Sequence, residues 1–222
     1  MNPLFTIGLS ILLAATGTAA VAENGSAQLS IEGLERVEKD ARGEIYAHPE
    51  VDWSEYSRIL LEPASIAFRK NWQRDQNRHL RAQRVRAGDM QRIRADVADM
   101  FGEVMREELT AHGYDMASES GADVLQIKPY VVDLDIYAPD IKAPGDTRSY
   151  TRQVGRMTLK LEVYDSVTGE LLARASDRRE APYHSYLQWT TRITNNFELR
   201  RMMERWAQGL RTRLDEARQT KS

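Results

Sequence analysis

The sequence predicts an α+β domain: a mixed or antiparallel sheet of about four strands packed against two long helices, in the order β-α-β-β-β-α. Three observations carry this. Met157, Leu159, Leu161 and Val163 alternate with Thr158, Lys160, Glu162 and Tyr164, the two-residue period of a half-buried strand. Ile93, Val97, Met100, Phe101, Val104 and Leu109 recur at helical spacing, and so do Leu199, Met203, Trp206, Leu210 and Leu214. The 222 residues are 41% apolar and 29% charged, which excludes collagen-like, disulfide-scaffold and wholly disordered chains.

The chain opens with an uncharged stretch. Leu4 to Ala15 are apolar, Thr16-Gly17-Thr18 follow, and Ala20-Val21-Ala22 supply the small residues of a signal-peptidase site. Residues 1–22 are therefore expected to be a signal peptide cleaved between Ala22 and Glu23. The run is shorter than the ~20 apolar residues of a membrane span, and no later segment approaches that length, so the mature chain is expected to be soluble, in a bacterial periplasm or secreted. There are no cysteines, hence no disulfide, thiolate metal site or lipid-attached cysteine.

Residues 23–55 hold nine acids against three bases with few strong apolar positions. This composition reads as a flexible acidic lead-in over 23–50, with at most one short helix around Leu34 and Val37, ahead of a single domain spanning 51–218. Tyr56 to Pro63 reads as a strand through Ile59, Leu60 and Leu61, closed by Pro63. Residues 69–86 reverse the charge, with Arg69, Lys70, Arg74, Arg78, Arg81, Arg84 and Arg86 against Asp75 alone, and form a basic insertion.

Asp89 is placed to N-cap the first long helix, and Gly113 to stop it. Val124 to Tyr137 is extended, but its apolar face changes from Leu125 and Ile127 to Val132, Leu134 and Ile136. A bulge at Pro129, where the phase shifts, is the simplest account. The alternating strand through Val163 turns at Asp165-Ser166-Val167-Thr168-Gly169 and returns as Leu171 to Ser176, a hairpin. Asn195 with Glu198 forms a capping-box pattern for the last helix, and both helices are expected on one sheet face.

Several short blocks carry a family resemblance. Asp52-Trp53-Ser54-Glu55-Tyr56-Ser57, Asp89-Met90-Gln91-Arg92-Ile93, Gly113-Tyr114 and Tyr164-Asp165-Ser166-Val167-Thr168-Gly169-Glu170 together resemble the bacterial domain-of-unknown-function family 3313, over roughly residues 50 to 217. The resemblance implies an exported envelope protein. Many members carry a lipobox cysteine that this chain lacks, which implies an envelope location without lipid anchoring. No catalytic motif comes with the family.

Chemistry is sparsely signalled. Histidines at 48, 79, 112 and 184 show no metal-ligand spacing, and there is no Gly-x-Ser-x-Gly elbow, dinucleotide fingerprint or phosphate loop. No cofactor and no metal are expected. Asp133 and Asp135 lie two apart on a strand, so a carboxylate-based or metal-dependent hydrolase using them with a histidine is the enzymatic alternative. Tyr183, Tyr186 and Trp189 read as a lid over one end of the core.

The basic stretch 69–86 stands out most. It reads either as a solvated arm answering the acidic lead-in or as an anion-binding strip, its guanidinium forks meeting phosphate or carboxylate and Trp72 serving as a stacking anchor. The expected function is that of a non-enzymatic envelope module binding an envelope protein or an anionic polymer or lipid, with no nucleic-acid partner. No oligomeric state is implied.

Overall fold

The computed structural model describes residues 33–79, 84–136, 150–151, 155–180, 188–189 and 192–219. The signal-peptide reading and the lid formed by Tyr183 and Tyr186 lie outside these residues, as do Arg81 and His184.

The α+β class holds, with a larger sheet than the sequence suggests. In chain order the elements are β1 (Glu35–Lys39), β2 (Gly43–Ala47), β3 (Arg58–Leu61), β4 (Ser65–Phe68), α1 (Trp72–His79), α2 (Ala87–Ala111), β5 (Asp115–Met116), β6 (Val124–Ile136), β7 (Tyr150–Thr151), β8 (Gly155–Asp165), β9 (Leu171–Glu180), β10 (Gln188–Trp189) and α3 (Arg192–Gln219). Eight strands make one mixed sheet in the order β1-β2-β9-β8-β6-β3-β5, with β4 also paired to β6. β7 and β10 form a separate two-stranded pair. β1 through β6 along this order is antiparallel, whereas β3, β4 and β5 join in parallel. Among the described residues only α2 and α3 are long helices, and α1 is short.

The extra strands arise where local pattern is weak. Pro63 does end β3, but the chain resumes as β4, so β3 and β4 together flank β6 as one interrupted strand, β3 beside 124–127 and β4 beside 130–134. β4 has only Ile66 and Phe68 to show its period, too few to read. The acidic segment is a larger correction. Residues 35–47, expected to be flexible with at most a short helix, form the β1–β2 hairpin and extend the sheet through β2 on β9. Leu34 and Val37, which a helix would place on one face, separate: Leu34 is fully buried and Val37 is 66% exposed.

β6 contains the expected irregularity in a different place. Leu125, Ile127, Pro129 and Val131 all face the core without a break at Pro129, and the phase shifts at Val132 and Asp133. Asp133 has φ +53°, and register with β8 is lost between Val132 and Asp135. A short polar side chain tolerates this left-handed backbone, so the bulge sits at Asp133 and leaves Val132 off the core face.

α2 starts at Ala87 with Arg86 as its N-cap. Asp89 lies three residues inside and accepts from the Arg86 backbone N–H at 2.8 Å, half of a capping box. Gly113 ends the helix at φ +84°, with the Tyr114 N–H returning to the Leu109 carbonyl. α3 begins at Arg192, three residues before the expected cap at Asn195, which is therefore inside the helix. Both long helices lie on one face of the sheet. Phe101, Val104, Met105 and Leu109 of α2 and Leu199, Met203 and Trp206 of α3 share one core with Ile127, Val131, Leu134, Leu159 and Leu161.

Candidate binding groove

The sheet is wider than its helical cover. Inward-facing positions run in register across it: Ile45 opposite Ala175 opposite Leu161, and Ala47 opposite Ala173 opposite Val163. The side chains shrink to alanine on β9, and α3 lies over β8 and leaves β9 and β2 partly open. The result is a groove of about 720 Å³ between the hairpin side of the sheet and α3. Its floor is Ile45, Ala47, Ala173 and Ala175, and Trp206, Leu210 and Leu214 of α3 form the facing wall.

The hairpin that makes one wall depends on a glycine. A Cβ on Gly43 would lie 1.7 Å from the Ser176 carbonyl oxygen, so β2 approaches β9 this closely only without a side chain there. Asp40 organises the turn by accepting from the backbone N–H groups of Arg42 and Gly43 at 2.8 and 2.9 Å and pairing with the Arg42 guanidinium at 3.0 Å. These bonds, the backbone ones foremost, hold its carboxyl below the usual range. Glu38 of β1 reaches Arg213 of α3, an ion pair that ties the edge strand to the helix across the groove.

One end of the groove is polar. Asp177 faces inward on β9 and accepts from the indole N–H of Trp206 at 3.0 Å and from Arg179 at 2.8 Å, fixing both walls to each other. Beyond it a second depression of about 320 Å³ is lined by Ala41, Arg42, Arg178, Arg179, Glu180 and Arg205. Arg42, Arg179 and Arg205 line both depressions, so the apolar groove opens onto a guanidinium-rich mouth.

The residues singled out by sequence are distributed differently. Arg69 is structural: its guanidinium pairs with Asp75 at 2.7 Å and Asp135 at 2.8 Å, with three-quarters of the side chain covered. Trp72, expected as a surface anchor, is 1% exposed, stacks on Phe68 with centroids 4.2 Å apart and donates to the Ile136 carbonyl at 2.8 Å. α1 is further held by Asn77, which bonds both the N–H and the carbonyl of Val85. Over 69–79 the basic stretch is thus folded onto the domain. Its described ion pairs run to Asp75 and Asp135, not to the acidic segment. Lys70, Arg74, Arg78, Arg84 and Arg86 remain exposed.

Asp133 lies at the bulge and is exposed. Asp135 is held between Arg69 and Arg156. His48 accepts from the Glu50 N–H, and His112 lies at the end of α2 beside the Glu108 carbonyl. Among the described residues no three His, Asp or Glu side chains converge as a metal site. The groove escaped the sequence reading because its walls come from a hairpin hidden in acidic composition. The small alternating Ala173 and Ala175 were its one legible sign.

These features define an α+β domain with one sheet face half-covered by helices and an open apolar groove where the cover ends. The chain belongs to the protein family of unknown function DUF3313, whose model matches residues 24–210. A search among curated proteins returns no match. Among solved structures it is similar to a minor lipoprotein from Acinetobacter baumannii, at 14% identity and TM-score 0.37 over 72% of this chain and 94% of that one. It is also similar to the PelC dodecamer from Paraburkholderia phytofirmans, at 9% identity and TM-score 0.34 over 73% and 95%. A DUF4136 family protein from Bacteroides thetaiotaomicron aligns at 11% identity and TM-score 0.37 over 79% and 98%. Likeness at this level carries no function.

Three of the four sequence blocks that carry the resemblance meet in a structural joint. Tyr56 donates to Asp165 at 3.0 Å, linking the entry to β3 with the β8–β9 turn. Tyr114 donates to Asp215 at 2.8 Å, and the Arg218 guanidinium lies 4.2 Å from the Tyr114 ring centroid. Arg218 also donates to the Tyr56 carbonyl, so the C-terminal turn of α3 clamps both tyrosines. The joint anchors the end of α3 that carries Leu210 and Leu214 into the groove wall.

Proposed function

We propose that this chain is an exported, non-enzymatic module of the bacterial envelope that binds another envelope component, and that the groove between the β1–β2 hairpin and α3 is its binding site. The observation that carries this reading is the groove itself: a concave apolar surface of about 720 Å³, within the ~300–1,000 Å³ of ligand sites, left open by a sheet wider than its helices. The uncharged opening ending in Ala20-Val21-Ala22 supports export, and among the described residues no helix is long and apolar enough to cross a membrane.

The test is in-cell photocrosslinking from Ile45 and Leu210 in the groove, compared with Arg74 on the basic stretch. Capture from both groove positions and none from Arg74 is the expected result. Capture from Arg74 alone would move the site to the exposed bases. That second reading, an anion-binding strip through Lys70, Arg74, Arg78, Arg81, Arg84 and Arg86, has its own check. Replacing Arg74, Arg78, Arg81 and Arg84 together by Ser would weaken salt-sensitive binding to anionic vesicles and leave the melting temperature nearly unchanged, since exposed pairs contribute about 0–1 kcal/mol each.

A further inference from the structure

We infer that the groove takes an anionic lipid, its acyl tail lying between the β2–β9 floor and α3 and its head group at the arginine-lined mouth. This rests on the groove being the binding site and names the occupant.

The argument is the contiguity of two unlike surfaces. The exposed surface of the groove is mostly apolar, from its aliphatic side chains and the Trp206 ring, although six acids and six arginines also border it. An elongated apolar guest gains from leaving water there, at about 25 cal/mol for each Å² buried. The adjoining depression has four arginines, Arg42, Arg178, Arg179 and Arg205, around a single Glu180, and three of the four also border the groove. A molecule apolar along its length and charged at one end matches this division, and a wholly polar or wholly apolar one does not.

The sign of the head group follows from how the charges are engaged. Asp40 is saturated by its own turn, Asp177 is held by Trp206 and Arg179, and Glu180 is held by Arg178 at 2.6 Å. Each of these carboxylates is already paired with an arginine, whereas each guanidinium has five N–H donors of which one carboxylate takes about two, so the four arginines of the mouth leave more unfilled donors than its carboxylates leave acceptors. Arg205 is exposed and has no ion pair among the described residues. A phosphate or carboxylate head would complete the unfilled forks, and a cationic head would have to compete with the arginines for Asp40, Asp177 and Glu180.

The test uses titration calorimetry of the mature chain with dodecyl phosphate, dodecyl maltoside and dodecyltrimethylammonium below their micellar concentrations, and with inorganic phosphate. Dodecyl phosphate is expected to bind at least about tenfold more tightly than the maltoside, the amount one charge-assisted hydrogen bond supplies, and inorganic phosphate not measurably. Arg42→Ala with Arg205→Ala, both exposed, is expected to leave the melting temperature nearly unchanged and to erase the preference for phosphate over maltoside while retaining maltoside binding. Ala175→Leu, which fills the floor, is expected to weaken both. Equal binding of the ammonium probe would overturn the assignment of head-group sign. Failure of every dodecyl probe, with crosslinks still forming from Ile45 and Leu210, would overturn the lipid occupant and leave the groove as a protein-binding site. Loss of those crosslinks as well would overturn the groove. A dimer that Leu210→Arg converts to monomer, with no dodecyl binding, would make a second copy of the chain the occupant and overturn the lipid.

Discussion

The two halves of the sheet are built to the same register and meet different fates. On the β6 side the inward positions are Ile127, Val131 and Leu134, fully buried under α2 and α3. On the hairpin side the row of Ile127 continues through Val163 to Ala173 and Ala47, and that of Pro129 through Leu161 to Ala175 and Ile45, and Ala173, Ala47, Ala175 and Ile45 are only partly buried. The difference lies in what covers them. Two helices about 10 Å wide each cannot roof seven strands spaced ~4.8 Å apart, so the sheet outruns its cover at one edge. Small side chains there leave a hollow, and ion pairs hold it in shape: Glu38 to Arg213 across the top, Asp177 to Arg179 at one end. The buried half carries the core, and the open half carries the proposed binding groove.

The sharpest way to break this comparison is to cut equally large side chains from each half. Leu134→Ala empties a site with no exposed surface and is expected to cost about 2–5 kcal/mol, read as the shift in urea midpoint at constant slope. Leu210→Ala, on the groove wall and only partly buried, is expected to cost clearly less, about 1 kcal/mol. Equal losses would mean that the groove is core.

Gly43→Val attacks the open half through its backbone. The new Cβ would overlap the Ser176 carbonyl, and strand β2 must withdraw, at the upper end of the about 1–3 kcal/mol of an overpacked site. Amide exchange should then accelerate over 43–47 and 173–177 and stay slow along β6. Uniform acceleration would show that the two halves unfold as one unit.

The same division separates what was legible in the sequence from what was not. β8, the β8–β9 turn, the apolar stripes of α2 and α3 and the Gly113 stop are written in local periodicity, because each element buries one continuous face. The hairpin was hidden. In residues 35–47 charges fall on both faces, Glu35 and Glu38 beside the inward Ala47 and Ile45, and the hairpin takes its order from pairing with β9, a contact more than a hundred residues away that composition does not reveal. The bulge was read from the change of face in β6, but its location required knowing that Val132 points away, which Asp133's positive φ decides. In the basic stretch, charge suggested exposure, yet Arg69 and Trp72 are covered because Asp135, Phe68 and the Ile136 carbonyl happen to meet them. Long-range partners overrule composition.

The clamp at the far end of α3 can be probed by pH. Asp165 is held below its ordinary 3.8, first by the Thr168 backbone N–H and also by Tyr56. In Asp215 burial pulls the other way and is outweighed by Tyr114 and Arg211. Depressed folded-state values mean that this stability is complete above the unfolded value and is lost as pH falls through the folded ones. Tyr56 moves oppositely: burial first and then the bond to Asp165 push it up to about 12 from 10.0, so its contribution is intact below pH 10 and lost as pH rises toward 12. Urea midpoints should be level from about pH 5 to 9 and fall on either side. Tyr56→Phe should flatten the alkaline limb, on the order of 2 kcal/mol. An unchanged limb would assign it to other groups.

The smallest effect sharpens the comparison most. Glu38 and Arg213 are both roughly half-exposed, so their pairing is worth only about 0–1 kcal/mol and Arg213→Ala should barely move the midpoint. The pair nevertheless joins an edge strand to the helix that forms the opposite wall of the groove, and Arg213 also pairs with Glu216 at 2.8 Å, which fixes its direction. Cutting it removes a tether whose loss is local. Amides of 35–39 should exchange faster while those of β8 and β6 do not change, and the association rate of whatever occupies the groove should rise because less must move aside for entry. Charge reversal on both partners, Glu38→Arg with Arg213→Glu, should restore the slow exchange, an outcome that mere loss of packing by Arg213 would not produce. If neither exchange nor association responds to Arg213→Ala, backbone pairing of β1 with β2 alone holds the edge, and the groove is open at all times.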